Sequence, residues 1–500
     1  MSNDELYNSL DFKELLRRYE KAKQEGSPCY LDSDEFIDIA DYYLDNERLD
    51  DLMDTVEEGL RLHPDDEYLV SLKVNGLISL HRFDEARELL PMVDGAADHD
   101  AYYFKGQLAA VDGDDAAATR YFHEWLQLER EACEKMNDKR EGLDRYKDAY
   151  FHIMVSFTDL GTSEHVVRSI QEWGEEYLKT FAPLDGDDND LDIAHLCHDA
   201  DLTDLEIQIY SQCLDANPYM DQGWTYLASL QHLQGMIDEA INSAENALAV
   251  NPEDPQALMI RAHTYFDRRQ YENALADYLR CYDKTGDDCC LMIIGRCYIQ
   301  LGRNKEGYDY LVKAREYCNT LRKDKEEQAY NRGFIADSFC MGGFYKEALS
   351  LINVVLRAFP DDVDYMMQRA NILLEQGKIE DAVEEYIEAS NKSGRQVQNL
   401  MIAAGTLMEK AYYRAAMVLL LLASKEKSDP EYKKTYVYIA YIGLQLGNVP
   451  LFSEVIKRAC EYTPDVVNAL WKNDLIGIDP KDYYERLTQL YGKSADNSNK

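Results

Sequence analysis

Apolar and polar positions alternate along nearly the whole chain with the spacing of amphipathic helices, and the pattern itself recurs. Residues 221–254 read DQGWTYLASLQHLQGMIDEAINSAENALAVNPED, and similar blocks follow about every 34 residues. Each block holds two runs with apolar residues three or four positions apart, separated by glycine or polar residues. This period predicts stacked helix pairs in which each pair contacts only its neighbours, rather than one globular core.

Small residues recur at two fixed places in the block. With Asp221 as position 1, Ala228 and Ala240 fall at positions 8 and 20, where a small side chain allows two helices to approach closely. Gly235, at position 15, suits a helix end that needs positive φ, and Pro252 at position 32 stops the second helix. The register predicts units that start near residues 33, 67, 99, 147, 187, 221, 255, 288, 329, 363, 397 and 433.

Four of these units are less regular than the others. The units at 33, 67, 147 and 187 carry a larger residue at position 8, position 20 or both. The larger residues are Leu52, Val74, Met154, Val166 and Glu206. The units from 221 to 430 follow the register most closely.

The block resembles the tetratricopeptide repeat. The matching positions are 4, 7, 8, 20, 27 and 32, held by Trp224, Leu227, Ala228, Ala240, Ala247 and Pro252. The resemblance implies an all-α fold, a right-handed superhelical solenoid (α-α superhelix) of about twelve helix hairpins. It also implies a non-catalytic scaffold that binds a peptide or helix of a partner protein in a concave groove.

By the same resemblance, positions 2, 5, 9, 12 and 13 of each unit face this groove. From residue 255 onward, position 5 holds four methionines and position 9 holds mixed polar residues, which suits an extended segment or an amphipathic helix. Alternatively, the methionines pack between neighbouring first helices. The predicted groove residues are Met259, His263, Met292, Arg296, Asp337, Met367, Asn371, Met401 and Tyr441.

The less regular stretches suggest a division of the chain. One amphipathic helix is expected over residues 1–25, and residues 181–192 are the expected hinge or boundary. Charge at helical spacing over residues 129–147 favours an extended helix there. Asp479 and Pro480 predict the start of a terminal helix. The predicted segments are an N-terminal capping helix (1–32), irregular acidic repeats (33–180), the main array (187–464), C-terminal capping helices (465–492) and a disordered tail (493–500).

The net charge of −41 is unevenly distributed. Residues 1–200 carry 49 acidic and 20 basic residues, and the remainder carries 45 acidic and 33 basic residues. Such a field repels nucleic acid and anionic membrane surfaces, and it favours a basic partner at the N-terminal half. The alternative is an acidic outer face that serves solubility.

Cysteine usage and hydropathy indicate which cellular compartment we expect for the protein. Eleven cysteines lie without regular spacing, which favours a reducing, cytoplasmic environment. The longest apolar run, residues 415–423, is too short to span a bilayer, and residues 1–20 do not resemble a secretory signal. We therefore expect no membrane insertion.

Candidate chemistry is sparse. Asp185, Asp187 and Asn189 resemble the start of a calcium loop, but the turn glycine and the bidentate glutamate are missing. His195 and His198 are three residues apart with Cys197 between them, yet no second ligand pair follows. We expect no catalytic, cofactor or metal site. Two alternatives stay open: an enzyme or enzyme accessory with a site near residues 129–200, and a structural spacer that self-associates through its ends as a homo-oligomer.

Overall fold

The computed structural model describes residues 3–26, 29–93, 100–161, 163–320 and 325–492. Within these ranges the chain is built from α-helices and three short 3-10 helices, without a β-strand. The predicted tail at 493–500 lies outside the described residues. The chain forms two compact units, Met1–Pro252 and Glu253–Lys500.

The helices of the first unit are α1 (Asn3–Asn8), α2 (Leu10–Glu25), α3 (Ser33–Asp45), α4 (Leu49–Leu62), α5 (Glu67–Ser79), α6 (Phe83–Val93), α7 (Asp100–Val111), α8 (Asp115–Lys135), α9 (Lys139–Thr158), α10 (Glu164–Phe181), α11 (Asp188–Asp199), α12 (Thr203–Ala216), α13 (Asp221–Leu233) and α14 (Ile237–Val250).

The helices of the second unit are α15 (Pro255–Asp267), α16 (Tyr271–Thr285), α17 (Leu291–Gln300), α18 (Asn304–Thr320), α19 (Lys325–Met341), α20 (Tyr345–Ala358), α21 (Val363–Glu375), α22 (Ile379–Lys392), α23 (Gln396–Glu409), α24 (Tyr413–Ala423), α25 (Thr435–Gln445), α26 (Val449–Tyr462), α27 (Pro464–Leu470) and α28 (Tyr483–Tyr491). The 3-10 helices are Asp288–Cys290, Pro430–Lys434 and Pro480–Asp482.

The predicted all-α repeat fold is confirmed. Each of the twelve predicted repeat units forms one helix pair, from α3–α4 for the repeat that starts at residue 33 to α25–α26 for the repeat that starts at residue 433. Within each compact unit, the two helices of a pair pack against each other and then against the next pair.

The small positions lie where the hairpins close. Ala228 and Ala240 have no exposed surface, and neither do the other alanines at positions 8 and 20. In the unit at 288 both positions are glycine, and a β-carbon on Gly307 would lie 2.9 Å from the carbonyl oxygen of Gly295. In four of the five pairs with a large residue at a small position, α3–α4, α5–α6, α9–α10 and α11–α12, the two helices have less close backbone contact than in the other pairs. The fifth pair, α25–α26, has the buried Phe452 at position 20 and still packs closely, with Gly443 beside the Phe452 backbone. Side-chain size at positions 8 and 20 is therefore one determinant of helix spacing.

Position 15 adopts a left-handed conformation in every unit. Gly235 has φ 73° and Gly377 has φ 84°, as the sequence predicts. Five units lack glycine at this position and still adopt positive φ, at Glu47, His81, Asp201, Arg269 and Ala411. The turn geometry is therefore imposed by the packing of the hairpin, even where the local residue disfavours it.

The N-terminal helix differs from its prediction. Ser9 interrupts it, and its side chain accepts a hydrogen bond from the Phe12 backbone at the start of α2. Phe12 and Tyr19 are buried, but Leu10 is 84% exposed and does not belong to the apolar face. A serine that offers an N-cap therefore splits an otherwise continuous helical pattern.

The other irregular stretches are largely helical. Residues 129–147 belong to α8 and α9, which are separated by a short break at residues 136–138. Asp479 caps the 3-10 turn that leads into α28 and accepts a hydrogen bond from the Lys481 backbone. Residues 181–192 lie inside the first compact unit. In the described part of the chain, no helix is both long enough and apolar enough to cross a membrane.

Candidate binding groove of the second unit

The first helices of three successive hairpins in the second unit, α17, α19 and α21, stand side by side. Helix α17 packs against α19, and α19 packs against α21. Since equivalent register positions point the same way on each of these helices, side chains at positions 5 and 9 form neighbouring rows. The predicted groove residues lie on the six first helices from α15 to α25.

Two predicted groove residues form an ion pair with each other. Nη2 of Arg296 on α17 donates to Oδ2 of Asp337 on α19 at 2.8 Å, and both residues occupy position 9. The guanidinium also lies 4.6 Å from the ring centre of Phe334. Arg296 is thus held by two groups of the next helix, and its charge is already compensated there.

The methionine row is half buried. Met292, Met367 and Met401 pack against the hydrophobic cores of the second unit while keeping part of their surface exposed. Met259 is likewise partly buried. Each methionine therefore fills space between helices and keeps part of its side chain exposed; that the exposed part faces a ligand groove stays a prediction.

The polar row is also engaged within the chain. The ring of His263 stands edge-on to that of Tyr278, with ring centres 5.4 Å apart. The hydroxyl of Tyr386 donates to the amide oxygen of Asn371, which is itself exposed. These contacts fix the orientation of the two side chains.

A cavity of about 510 Å³ opens between α23 and α25. Positions 2, 5, 9, 12 and 13 of the unit at 397 all line it, and these are the groove positions that the resemblance to tetratricopeptide repeats implies. The lining residues on α23 are Gln398, Met401, Ile402, Ala404, Gly405, Met408 and Glu409. Tyr438 and Tyr441 of α25 face them, with Leu420, Glu431 and Leu470 at the sides.

The cavity is mainly apolar with an acidic margin. Ile402 is 54% exposed and Leu470 is 39% exposed, although both are large apolar side chains. Glu409 is exposed, whereas Glu431 forms an ion pair with Lys434, with Oε2 2.6 Å from Nζ. This surface suits an apolar segment that carries a basic residue at its side.

Gly405 leaves the centre of the cavity open. It lies inside α23, where glycine is unfavourable compared with alanine by about 0.5–1 kcal/mol. A β-carbon at this position would meet no atom within 4 Å. The packing of the chain itself therefore does not require a glycine, and the missing side chain leaves space in front of α23 for a side chain of a ligand.

Sequence reasoning found only part of this cavity. Met401 and Tyr441 were predicted, and the register also places Met408 and Glu409 at groove positions. Leu470 lies at the end of α27, and Glu431 lies in the 3-10 helix that precedes α25. Both residues are outside the repeat register. No spacing rule in the sequence connects them with α23.

A lysine side chain lies among the carboxylates of the calcium-like loop. Nζ of Lys147 lies 2.7 Å from carboxylate oxygens of Asp185 and Asp187, and 3.2 Å from Oδ1 of Asp190. These three carboxylates are the one group of possible metal ligands found close together among the described residues. Burial would lower the pKa of Lys147, but the two hydrogen bonds and the charge of Asp190 outweigh burial and raise it.

The histidine pair does not converge with Cys197. Cys197 is fully buried, whereas the side chain of His198 is 63% exposed and its Nδ1 lies 3.3 Å from Oε2 of Glu206. The ring of His195 faces Tyr226 instead. Burial raises the pKa of Glu206, and the hydrogen bond from His198 partly opposes this. The geometry therefore does not support a metal or acid–base site at residues 195–198.

The cysteines are unpaired, and most are buried. Burial raises the pKa of the thiols of Cys197, Cys213, Cys297 and Cys340. Such thiols are weak nucleophiles and behave as small apolar residues.

The register, the hairpin packing and the groove define a helical-repeat protein of the kind that binds other proteins. A family profile described as Tetratricopeptide repeat matches residues 336–394. Another, described as Anaphase-promoting complex, cyclosome, subunit 3, matches residues 233–314. The chain therefore contains tetratricopeptide-type repeats, as its sequence pattern predicts.

Three solved structures are similar to this chain at low sequence identity. A tetratricopeptide repeat protein from Parabacteroides merdae is 19% identical (TM-score 0.39), with 50% of this chain and 92% of that chain covered. Yeast Tom70 is 13% identical (TM-score 0.35), covering 99% and 96%. The APC/C hetero-tetramer Cut9-Hcn1 is 12% identical (TM-score 0.33), covering 94% of each chain. No curated protein matches the chain significantly by sequence.

Proposed function

We propose that this protein is a non-catalytic scaffold that holds a helix or extended segment of a partner protein in the groove of its second unit. The observation that carries the proposal is the 510 Å³ cavity between α23 and α25, whose lining coincides with the groove positions of the repeat. The exposed surface of Ile402 and Leu470 and the open space above Gly405 support it.

The cavity also indicates what the segment contains. Met401, Met408 and Tyr441 offer polarizable apolar contacts that adapt to aliphatic or aromatic side chains. The exposed Glu409 favours a lysine or arginine on the flank of the segment. The favoured ligand is an amphipathic peptide with two apolar anchors and an adjacent basic residue.

Substitution of Gly405 tests this proposal. A displayed library of peptides is selected on the wild-type protein, and one enriched peptide is measured by fluorescence anisotropy. Gly405→Phe fills the cavity from α23 and should weaken binding at least about tenfold. Gly405→Ala adds only a β-carbon in open space and should retain binding within about twofold. Equal binding by all three proteins, with unchanged circular dichroism, contradicts the groove.

The first unit offers a different surface. Asp34, Asp38, Asp41 and Asp45 lie on one face of α3, spaced three or four residues apart, and the Tyr7 hydroxyl donates to Asp45 at 2.8 Å. We propose that this stripe attracts a basic segment of a partner. A lysine-rich peptide should bind the first unit more weakly as salt rises, and replacement of Asp34 and Asp38 by asparagine should reduce that salt dependence.

A further inference from the structure

A second cavity, of about 680 Å³, lies on the second helices of two successive hairpins. It is formed by the first turns of α22 and α24, together with the residues just before α24. Ile379, Val383, Tyr412 and Val418 supply apolar lining. This cavity is separate from the groove, which is lined mainly by first helices.

The surface around this cavity is more apolar than its equivalents in the same unit. Val418 occupies position 22 of its hairpin and is 47% exposed, and Leu421 on the same helix is 45% exposed. Leu446, at the end of α25, lines the cavity and is 43% exposed. In the other hairpins of the second unit, position 22 is also exposed but carries a polar residue or alanine, namely Ala276, Asp309, Ser350, Glu384 and Glu454.

Charges of opposite sign lie on the two sides of this apolar surface. Glu380 and Glu384 lie in the first two turns of α22, and Arg414 lies in the first turn of α24. Since the first turns of both helices line one cavity, α22 and α24 run in the same direction with their charged residues at the same level. The surface therefore carries acid on one helix, apolar residues in the middle and base on the other helix.

We propose that this surface binds a second copy of the chain. A two-fold axis that runs midway between α22 and α24 and parallel to them would place α22 of one copy against α24 of the other. Glu380 and Glu384 would then meet the partner's Arg414 twice, once on each side of the axis, as an isologous interface requires. The apolar centre, with Val418 and Leu446, would be buried between the copies, and its burial would drive association.

Sedimentation equilibrium of the full chain tests the dimer. At physiological ionic strength, where salt screens the repulsion between two copies of charge −41, a mass of twice 57.7 kDa is expected. The dissociation constant should lie in the range of about 1–100 µM, typical of a modest apolar interface. Val418→Asp places a charge in the apolar centre and should weaken association at least about tenfold. Because Val418 is exposed, the variant keeps the fold, which circular dichroism verifies.

Charge exchange identifies the pairing of helices. Arg414→Glu alone, or Glu380→Arg with Glu384→Arg, sets like charges against each other in a self-pair and should abolish the dimer. Mixing these two monomeric variants should restore a heterodimer, because each acidic helix then meets a basic one. A wild-type chain that stays monomeric, or a dimer unaffected by the Val418 and charge variants, overturns the proposal. Failure of the mixture to associate also overturns it. Gly405→Phe should leave the dimer intact, which separates this surface from the peptide groove.

Discussion

At the scale of single residues, the turn inside each hairpin requires a backbone conformation that most L-amino acids adopt reluctantly. Arg269 adopts φ 60° at the position where seven other units have glycine. A left-handed conformation costs about 1–2 kcal/mol for a residue with a β-carbon, and the lost chain entropy of glycine offsets part of this. Arg269→Gly should therefore increase the free energy of unfolding by about 0.5–1 kcal/mol in urea titrations.

The reverse change provides the matched control for this prediction. Gly235 has φ 73°, and a β-carbon there would contact nothing within 4 Å. Gly235→Ala thus introduces backbone strain without a steric clash, and it should lower stability by a similar amount. If both changes move stability in the same direction, the turn conformation is not the cause.

Lys147 is a residue whose importance the sequence does not signal. Its side chain is 3% exposed, and Asp190 is fully buried beside it. Lys147→Met removes the cation and leaves three carboxylates facing one another, which should cost about 3–5 kcal/mol of unfolding free energy. Lys179→Met, at an exposed i,i+4 pair with Glu175, should change stability by less than about 0.5 kcal/mol. A small effect at Lys147 would show that the cluster relaxes when its cation is removed.

Asp41 makes stability depend on pH. Burial, with the nearby charges of Asp45 and Asp38, raises its pKa to about 7 in the folded chain. A carboxyl pKa that is higher in the folded chain than in the unfolded chain stabilises the fold at pH values below the unfolded pKa of about 4. This contribution is lost as the pH rises through the folded pKa of about 7. Asp41→Asn should therefore raise the unfolding midpoint relative to wild type at pH 8 and give little gain at pH 4. An equal gain at both pH values contradicts the assignment.

At the scale of elements, side-chain volume at positions 8 and 20 contributes to helix spacing within a hairpin. On Gly307, a β-carbon would lie 2.8 Å from Ile299 Cδ1 and 2.9 Å from the Gly295 carbonyl oxygen. Gly307→Ala should destabilise the protein by about 1–3 kcal/mol, although alanine is the better helix former. Gly405→Ala, in a helix with open space around it, should stabilise by about 0.5–1 kcal/mol. Thermal unfolding of both variants checks the contrast.

An ion pair between positions 7 and 23 recurs in two hairpins, and the repeat register does not predict it. Arg261 pairs with Asp277, with Nε–Oδ2 at 2.7 Å and Nη2–Oδ1 at 2.8 Å. Arg369 pairs with Glu385 at the equivalent positions, 7 and 23, of another hairpin. A sequence search for apolar and small residues overlooks charged residues at these positions, because a lone arginine on a helix is more often solvated.

At the scale of the whole molecule, the sequence predicts the repeats well because the evidence for them is local and redundant. Ala228 and Ala240 recur in register, so one irregular unit does not hide the pattern. The cavity residues Leu470 and Glu431, and the partners of Lys147, are not predictable in this way. They come together through the stacking of segments that share no period, and Lys147 lies 38 residues from Asp185 in the chain.

The reactivity of the buried thiols reports which part of the chain opens. Cys197 lies in the first unit, and Cys297 and Cys318 lie in the hairpin that contains Gly307, all three with their sulfur shielded from water. A maleimide reagent reaches such a thiol only when its own segment opens. In Gly307→Ala, brief alkylation followed by peptide mass spectrometry should label Cys297 and Cys318 faster while leaving Cys197 at its wild-type rate. Uniform acceleration at all three would mean that the chain opens as a single cooperative body, not hairpin by hairpin.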